Sequence, residues 1–445
     1  MYYQVFIGVL CDGEMLSLSS AKFASPLGLN IIGTAIKKDF PEVFVKIYNL
    51  EVNQLSLVKT DIENIIKSFK NVLVGLTLIA GNISKSLELV KWFKGLGCDV
   101  IIGGPEVNEL TQNHFSAISI VDSVVIGSGE QIISSIIKDG IKQRIYSAPS
   151  ILNFKDSAVD YSLLFRLHDY GGVSLLWGGD CHLHNKRCYF CSRQKRGFGW
   201  REPTLVWEEM AYPYSNGIKK IYNTADTVAV SLGQLELLAE SKPAELVGMR
   251  MKCFINATQV NDETARLLKK LNAWATVGIE SFSRTKAIGK GKTESSDNYR
   301  AIKVLAKHGV PMILTFVMGL PGETEESLDN DTKEIIRIVN NYQENIYWIT
   351  VSPLLITLGS MAFYECAERL GDKLPKKNEW EFYNPLLMSE KYFETFCHVG
   401  INDVYKKIAY LKKEIKEIAP QIIFDSKGLD PERWAQVGTS IKKSS

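Results

Sequence analysis

Cys181, Cys188 and Cys191 set three thiols on one short stretch of chain, the last two enclosing Tyr189-Phe190. A thiolate is a soft donor that favours zinc and iron–sulfur centres. Three thiolates suit a 4Fe-4S cluster with one open iron, because full ligation takes four. Cys-x-x-Cys alone also fits half of a zinc site or a dithiol redox pair. His182 and His184 lie inside the same loop, so a Cys/His zinc site is available on composition. On these residues alone cluster, zinc and structural roles stand side by side.

The elements around the cysteines narrow the choice. Gly172 to Trp177 reads as a strand that ends at the cysteine loop, and Ile218 to Tyr222, Met251 to Ile255, Ala275 to Ile279, Pro311 to Met318 and Tyr347 to Pro353 read as later strands with helices between them. Six such parallel strands form a partial barrel, whose chemistry collects at the carboxyl ends of the strands. Upstream, Val43 to Leu50, Val72 to Leu78, Asp99 to Ile102 and Ser123 to Ile126 are expected strands. Leu27 to Lys37, Ile62 to Phe69, Ser84 to Lys94 and Glu130 to Ile137 are the expected helices between them. Gly103-Gly104-Pro105 and Gly127-Ser128-Gly129-Glu130 fall at strand ends, where glycine lets a ligand approach the backbone. Ala148 to Asp160 is a polar connector. Val404, Ile408, Leu411, Ile415 and Ile418 recur at helical spacing among lysines and glutamates, the pattern of an amphipathic helix docked on the body.

A chain of 445 residues holds two large units and an appendage. Its net charge of +2 gives no broad electrostatic footprint for nucleic acid or an acidic membrane. Of eight cysteines, five are scattered at Cys11, Cys98, Cys253, Cys366 and Cys397, which does not describe a secreted disulfide framework; a reducing cytoplasm is expected. The apolar start, Met1 to Leu10, lacks the basic segment and cleavage site of a signal peptide and reads as a buried strand. Ile346 to Tyr364 carries no charge before its end, but Pro353 and the β-branched Ile349-Thr350-Val351 favour a buried strand running into a loop over a membrane helix.

Several phrases, in order, now carry a resemblance. Pro26-Leu27-Gly28-Leu29, Gly103-Gly104-Pro105-Glu106 and Val124-Val125-Ile126-Gly127-Ser128-Gly129-Glu130 lie in the first half. Gly278-Ile279-Glu280-Ser281, Lys290-Gly291-Lys292-Thr293 and Met318-Gly319-Leu320-Pro321-Gly322-Glu323-Thr324 follow the cysteines. The chain resembles the radical S-adenosylmethionine (SAM) enzymes that carry an N-terminal cobalamin-binding-type domain. The resemblance spans roughly Ser25 to Leu370 and implies an α/β fold. A Rossmann-like domain (residues 1–150) would precede a partial (β/α)6 TIM-type barrel (165–360) and a small, mainly helical C-terminal region (370–445).

The same resemblance implies that Cys181, Cys188 and Cys191 ligate a 4Fe-4S cluster. Phe190 would border the adenine of SAM, Glu280 would contact its methionine or ribose portion, and Lys290 would pair with its carboxylate. Asp226 matches a region where the family carries acids facing the cofactor, and Gly319, with Gly322, would shape the loop after the fifth barrel strand. For Glu280 and Lys290 the plain alternative is an ion pair at a helix entrance; for Asp226 it is a helix cap, and for Gly319 a turn. Trp177, Trp200 and Trp274 are candidates to shape a substrate site, with core packing as the alternative.

Two departures from the family pattern stand out. Six residues separate Cys181 from Cys188 where three are usual, and no Asp-x-His-x-x-Gly sequence is present to supply a histidine below cobalamin. The resemblance implies reductive cleavage of SAM to a 5′-deoxyadenosyl radical, with cobalamin-dependent methylation of an unreactive carbon in a small-molecule or peptide substrate. Cobalamin-independent dehydration, epimerisation or rearrangement is the alternative reaction, and a metal-binding sensory protein the non-enzymatic one. An external electron donor such as flavodoxin or ferredoxin is implied; no nucleic acid and no membrane partner is expected.

Overall fold

The computed structural model describes residues 2–11, 24–79, 82–107, 119–149, 159–179, 181, 188–192, 199–229, 231–289, 294–370 and 385–426. It contains two large parallel sheets. The first has six strands: β1 (Val5–Leu10), β2 (Phe44–Asn49), β3 (Val72–Thr77), β4 (Asp99–Gly103), β5 (Ser123–Ile126) and β6 (Ile145–Ser147), in the order β2-β1-β3-β4-β5-β6. β1 reads Val-Phe-Ile-Gly-Val-Leu and is buried along almost its whole length, the composition of a parallel strand covered on both faces. The covering helices include α1 (Leu27–Asp39), α2 (Leu55–Ser68), α3 (Ile83–Gly95) and α4 (Ile133–Asp139).

The expected elements of this half are present with shifted ends. The second helix begins at Leu55 rather than Ile62, and the fourth begins at Ile133 after a 3-10 turn over Gly129–Gln131. Gly127 at φ +85° breaks the chain direction there, and a Cβ on it would run into the Ala148 carbonyl. The order doubles back at β1 and β3, which makes their carboxyl ends the switch point where such sheets bind ligands. Asn82 fastens that point: buried, it donates from Nδ2 to the carbonyls of Cys11 at 3.3 Å and Thr77 at 3.2 Å.

The second sheet has seven parallel strands in the order β15-β14-β13-β12-β11-β10-β7. These are β7 (Val173–Leu175), β10 (Lys220–Asn223), β11 (Arg250–Ile255), β12 (Ala273–Glu280), β13 (Met312–Met318), β14 (Ile346–Pro353) and β15 (Ile423–Asp425). Six match the expected barrel strands. The seventh is an addition: the C-terminal region, mainly helical as expected, also returns a short strand to the barrel edge, pairing Ile423 with Trp348 and Asp425 with Thr350. The docking helix runs over Ile401–Ile418 and buries Val404, Ile408, Leu411 and Ile415 as their spacing requires. Residues 371–384 and 427–445 of that region lie outside the described residues. The uncharged run from Ile346 is β14 followed by a loop, and among the described residues no helix is long and apolar enough to cross a membrane.

The two sheets are stitched together near β7. Ser174 of β7 donates its N–H to Ser25 Oγ at 2.9 Å, and its own Oγ donates to the Ser25 carbonyl at 2.7 Å. Tyr161 donates to the Ser174 carbonyl at 2.6 Å. Glu209 accepts from Arg201 Nη2 at 2.5 Å, from Tyr161 Oη at 3.2 Å and from the Val159 N–H at 3.1 Å. Burial raises the Glu209 carboxyl above its ordinary value even with Arg201 beside it.

Candidate active site

The cysteine-bearing segment leaves the barrel between two very short antiparallel strands, β8 (Gly178–Gly179) and β9 (Gly199–Trp200). A Cβ at Gly178 would sit 2.9 Å from the Gly199 carbonyl, so glycine permits the close approach of the two strands. Trp177, just before, is 2% exposed and belongs to the core; its carbonyl accepts from the Arg201 N–H at 3.0 Å. The segment thus starts at the carboxyl end of β7, as expected for the site-bearing end of a parallel sheet.

Cys181, Cys188 and Cys191 are in no disulfide and are each half-buried. The Cys191 N–H donates to the Cys188 carbonyl at 3.0 Å, closing a turn that presents both side chains from one loop. Residues 182–187, with His182 and His184, lie outside the described residues, and among the described residues no three His, Cys, Asp or Glu side chains are gathered as a metal-ligating set. The donor chemistry is what fits a cluster: three accessible thiols on one loop. The remaining cysteines differ in kind, since burial pushes the thiols of Cys253, Cys366 and Cys397 up to about 12.

The backbone between the cysteines is tied down at three points. Tyr189 N–H donates to the Ile288 carbonyl at 2.7 Å, and the Tyr189 carbonyl accepts from Ala362 N–H at 3.1 Å at the start of the helix Met361–Leu370. The Phe190 carbonyl accepts from Thr357 Oγ1 at 3.3 Å. Tyr189 Oη donates to Glu365 Oε2 at 2.9 Å. Phe190 itself is half-buried, against the core but open on one side. The cysteine turn therefore rests on the connections that follow β12 and β14.

Glu280 ends β12 in the left-handed region, φ +59°, where a residue with a branched or long side chain is strained by roughly 1–2 kcal/mol. The ladder to β13 slips at this point, pairing Glu280 with Phe316 directly after Gly278 with Thr315. The Glu280 carboxylate folds back over Gly278, where a Cβ would lie 2.7 Å from Oε1. The strain is held from outside. Asp331 accepts from Ser281 Oγ at 2.5 Å, Phe282 N–H at 3.0 Å and Ser283 N–H at 2.8 Å, and Asn298 Nδ2 donates to the Ile279 carbonyl at 3.2 Å.

Gly319 adopts φ +91°, and a Cβ there would overlap the ring of Phe393. Its N–H and that of Leu320 donate to Glu323 Oε2 at 3.0 Å and 3.3 Å, while Ser327 Oγ donates to Glu323 Oε1. Arg284 Nη2 donates to the Pro321 carbonyl, joining the turn after β12 to the turn after β13. Asp226 lies on the segment after β10, which crosses the strand ends through bonds from Thr224 N–H to the Leu175 carbonyl and Val228 N–H to the Phe254 carbonyl, each 2.8 Å. Cys188, Phe190, Asp226, Glu280 and Gly319 therefore all stand at the carboxyl side of the same sheet. Lys290 lies outside the described residues. Trp274 stands at the other end of its strand, second from the amino end of β12, away from the cysteines.

With that geometry in place, the likeness to known proteins is specific. Residues 181–335 match the model of the Radical SAM superfamily, a stretch that begins at the first cysteine and covers Glu280, Gly319 and Asp331. This chain carries a radical SAM domain. The family works with a 4Fe-4S cluster and SAM. The chain is 24% identical over 340 residues to the uncharacterized methyltransferase PH0819 of Pyrococcus horikoshii, covering 69% of this chain and 72% of that one. In fold it is similar to the radical S-adenosylmethionine methyltransferase TsrM of Kitasatospora setae. The TsrM structure with cobalamin and a [4Fe-4S] cluster bound has a TM-score of 0.70 at 14% identity, covering 95% of this chain and 93% of that chain. The TsrM structure with tryptophan and a SAM analogue has a TM-score of 0.65 at 15% identity, covering 81% and 76%.

Asp331, Glu323 and Glu365 brace the loops at this rim; motif reading quoted Glu323 without a role and passed over the other two. Asp331 had a signal: Leu328, Thr332, Ile335, Ile338 and Val339 form the buried stripe of their helix, and an acid in that stripe must be bonded. Glu365 had none, because its partner Tyr189 is distant in sequence.

Proposed function

We propose that this radical SAM enzyme methylates an unreactive carbon with the help of cobalamin. When bound, the cluster and SAM supply a 5′-deoxyadenosyl radical and cobalamin supplies a carrier for the methyl group. Cys181, Cys188 and Cys191 hold the cluster through their thiolates and leave one iron for SAM. Phe190 would border the adenine, Glu280 would take a polar group of the cofactor's ribose or methionine part, and Asp226 and Gly319 line the same rim. Lys290 pairs with the cofactor's carboxylate.

The observation that carries the reading is the position of the three cysteines beyond the carboxyl end of β7, on the rim that also carries the strained Glu280. Support for cobalamin comes from the β2-β1-β3 switch point, whose neighbouring turns carry Gly104 and Gly127 at positive φ, and from the fold shared with cobalamin-bound TsrM. Ser25, on the connection from that switch point, is bonded to Ser174 on the strand that leads to the cysteines, so the two rims adjoin. A substrate between them would occupy a domain interface, where binding sites concentrate. A small molecule or peptide is the substrate, the chain works in the cytoplasm, and flavodoxin or ferredoxin delivers the electron.

The test is anaerobic reconstitution with iron, sulfide and cobalamin, followed by assay for 5′-deoxyadenosine and metal and cobalamin content. Cluster, bound cobalamin and 5′-deoxyadenosine together are expected. A cluster that cleaves SAM without retaining added cobalamin would remove the methyl-transfer reading. Cys188→Ala is expected to lose the cluster's visible absorbance, and its retention would show that the ligands are assigned wrongly.

A further inference from the structure

The inner face of the barrel contains a second set of polar groups, far from the cysteine rim. Lys252 Nζ lies 5.6 Å from the centre of the Trp348 ring, although β12 and β13 stand between their strands. Neighbouring strands are about 4.8 Å apart, so a flat sheet would separate β11 from β14 by roughly 14 Å. The contact exists because the sheet curls and both side chains point into its hollow. Trp274 and Tyr347 meet across β13 with ring centres 4.2 Å apart, and the Arg250 guanidinium lies 5.7 Å from the Trp274 ring. Together these side chains floor the barrel toward the amino ends of its strands. A closed barrel fills this level with branched apolar side chains; here it is built of rings and cations.

Two polar atoms on this floor are buried without a hydrogen bond: Thr276 Oγ1 and Trp348 Nε1. They share one level, because Thr276 pairs with Ile313 and Ile313 with Trp348. Thr276 is 2% exposed. Buried polar atoms are almost always bonded, so two orphans on one level are an exception that needs a partner. An indole N–H can only donate, a hydroxyl can donate, and an ammonium only donates. Donors of this kind suit an acceptor with two or more oxygens.

We propose that Thr276, Trp348 and Lys252 form a subsite for a carboxylate of the substrate, seated on the barrel floor while the carbon to be modified faces Glu280 and the cysteine loop. This deepens the proposed function and rests on its placement of the reaction at the carboxyl rim. The inference commits to the chemistry of one end of the substrate, an anionic carboxylate, and to a molecule long enough to reach from floor to rim.

The test uses the reconstituted enzyme labelled with 5-fluorotryptophan, with Trp348→Phe identifying one fluorine resonance. Phenylacetate is the probe and phenylacetamide, of the same shape without the charge, is its control. The Trp348 signal is expected to shift saturably with phenylacetate and not with phenylacetamide. Lys252→Met and the milder Thr276→Val should each weaken that binding by about tenfold, the usual scale for losing a charge-assisted bond. An equal response to both probes, tighter binding of phenyl phosphate, or no response because the two atoms bind only water would overturn the proposal. Cluster absorbance and 5′-deoxyadenosine, measured in the same samples, report on the proposed function separately. If they fail while phenylacetate still binds as described, the subsite stands and the assigned chemistry falls.

Discussion

Ser281 donates its hydroxyl to Asp331 at 2.5 Å, and through that bond a helix on the outside of the barrel holds the backbone beside Glu280. Asp331 takes two further N–H groups from the same turn, so its carboxylate replaces the next residues of the strand as acceptor. Asp331→Asn keeps the size and loses the charge that strengthens all three bonds. It is expected to weaken SAM binding about tenfold or more through Glu280, on the scale of one charged hydrogen bond, while the cluster absorbance stays intact. Equilibrium binding of SAM to the reconstituted variant checks this; unchanged affinity would separate Asp331 from the cofactor.

Gly319 is a second fixed point. Positive φ and the Phe393 ring both exclude a side chain there. Gly319→Ala should cost about 2–4 kcal/mol, combining left-handed strain with overpacking. Adding Phe393→Ala should recover the part due to the clash and not the part due to φ. Denaturant unfolding of the two single variants and the double variant separates the terms, and full additivity would rule out the clash.

Tyr189 couples the cysteine turn to the helix at Glu365. Tyr189→Phe removes one bond to a charged acceptor, worth about 1.5 kcal/mol, and should speed cluster loss to an iron chelator by roughly tenfold. The decay of visible absorbance after chelator addition measures it. A rate equal to wild type would mean that the backbone bonds to Ile288 and Ala362 suffice.

Glu323 gives a pH dependence. Burial raises its carboxyl above the ordinary value, outweighing the Ser327, Gly319 and Leu320 bonds that lower it. The folded state therefore holds this proton more tightly than the unfolded chain. Its contribution to stability is full below the unfolded carboxylate pKa and is lost as pH rises through the folded value. The stability of wild type relative to Glu323→Gln should thus fall as pH rises across that window. Urea midpoints of the two proteins across mildly acidic pH give the comparison, and a margin that grows with pH would contradict it.

Local pattern determined what could be read in advance. Continuous β-branched runs located β3, β5 and β13 closely, and the heptad-like row from Val404 to Ile415 located a docking helix. The cysteines and Glu280 were legible because they sit in short phrases at strand ends. β15 was not: Ile423–Asp425 is three residues long, and only the exposed edge of β14 makes it a strand. The floor of the barrel was equally hidden, since Lys252 and Trp348 come together through curvature of a whole sheet. Trp274 illustrates the same point, because its type suggested a substrate wall or core packing, and only its register places it at the amino end of its strand.

The late position of β15 bears on biosynthesis. All six strands of the first sheet lie between Val5 and Ser147, whereas the edge of β14 waits for a segment ending at Asp425. At ordinary translation speeds the interval is on the order of half a minute. During it the first sheet can close on its own core, and over its last part, once β14 has been made, the nascent barrel carries an open parallel edge that any other extended chain can join. Slower growth temperatures, or a chaperone that occupies that edge, should therefore raise the yield of intact protein more than any change at the cysteine rim.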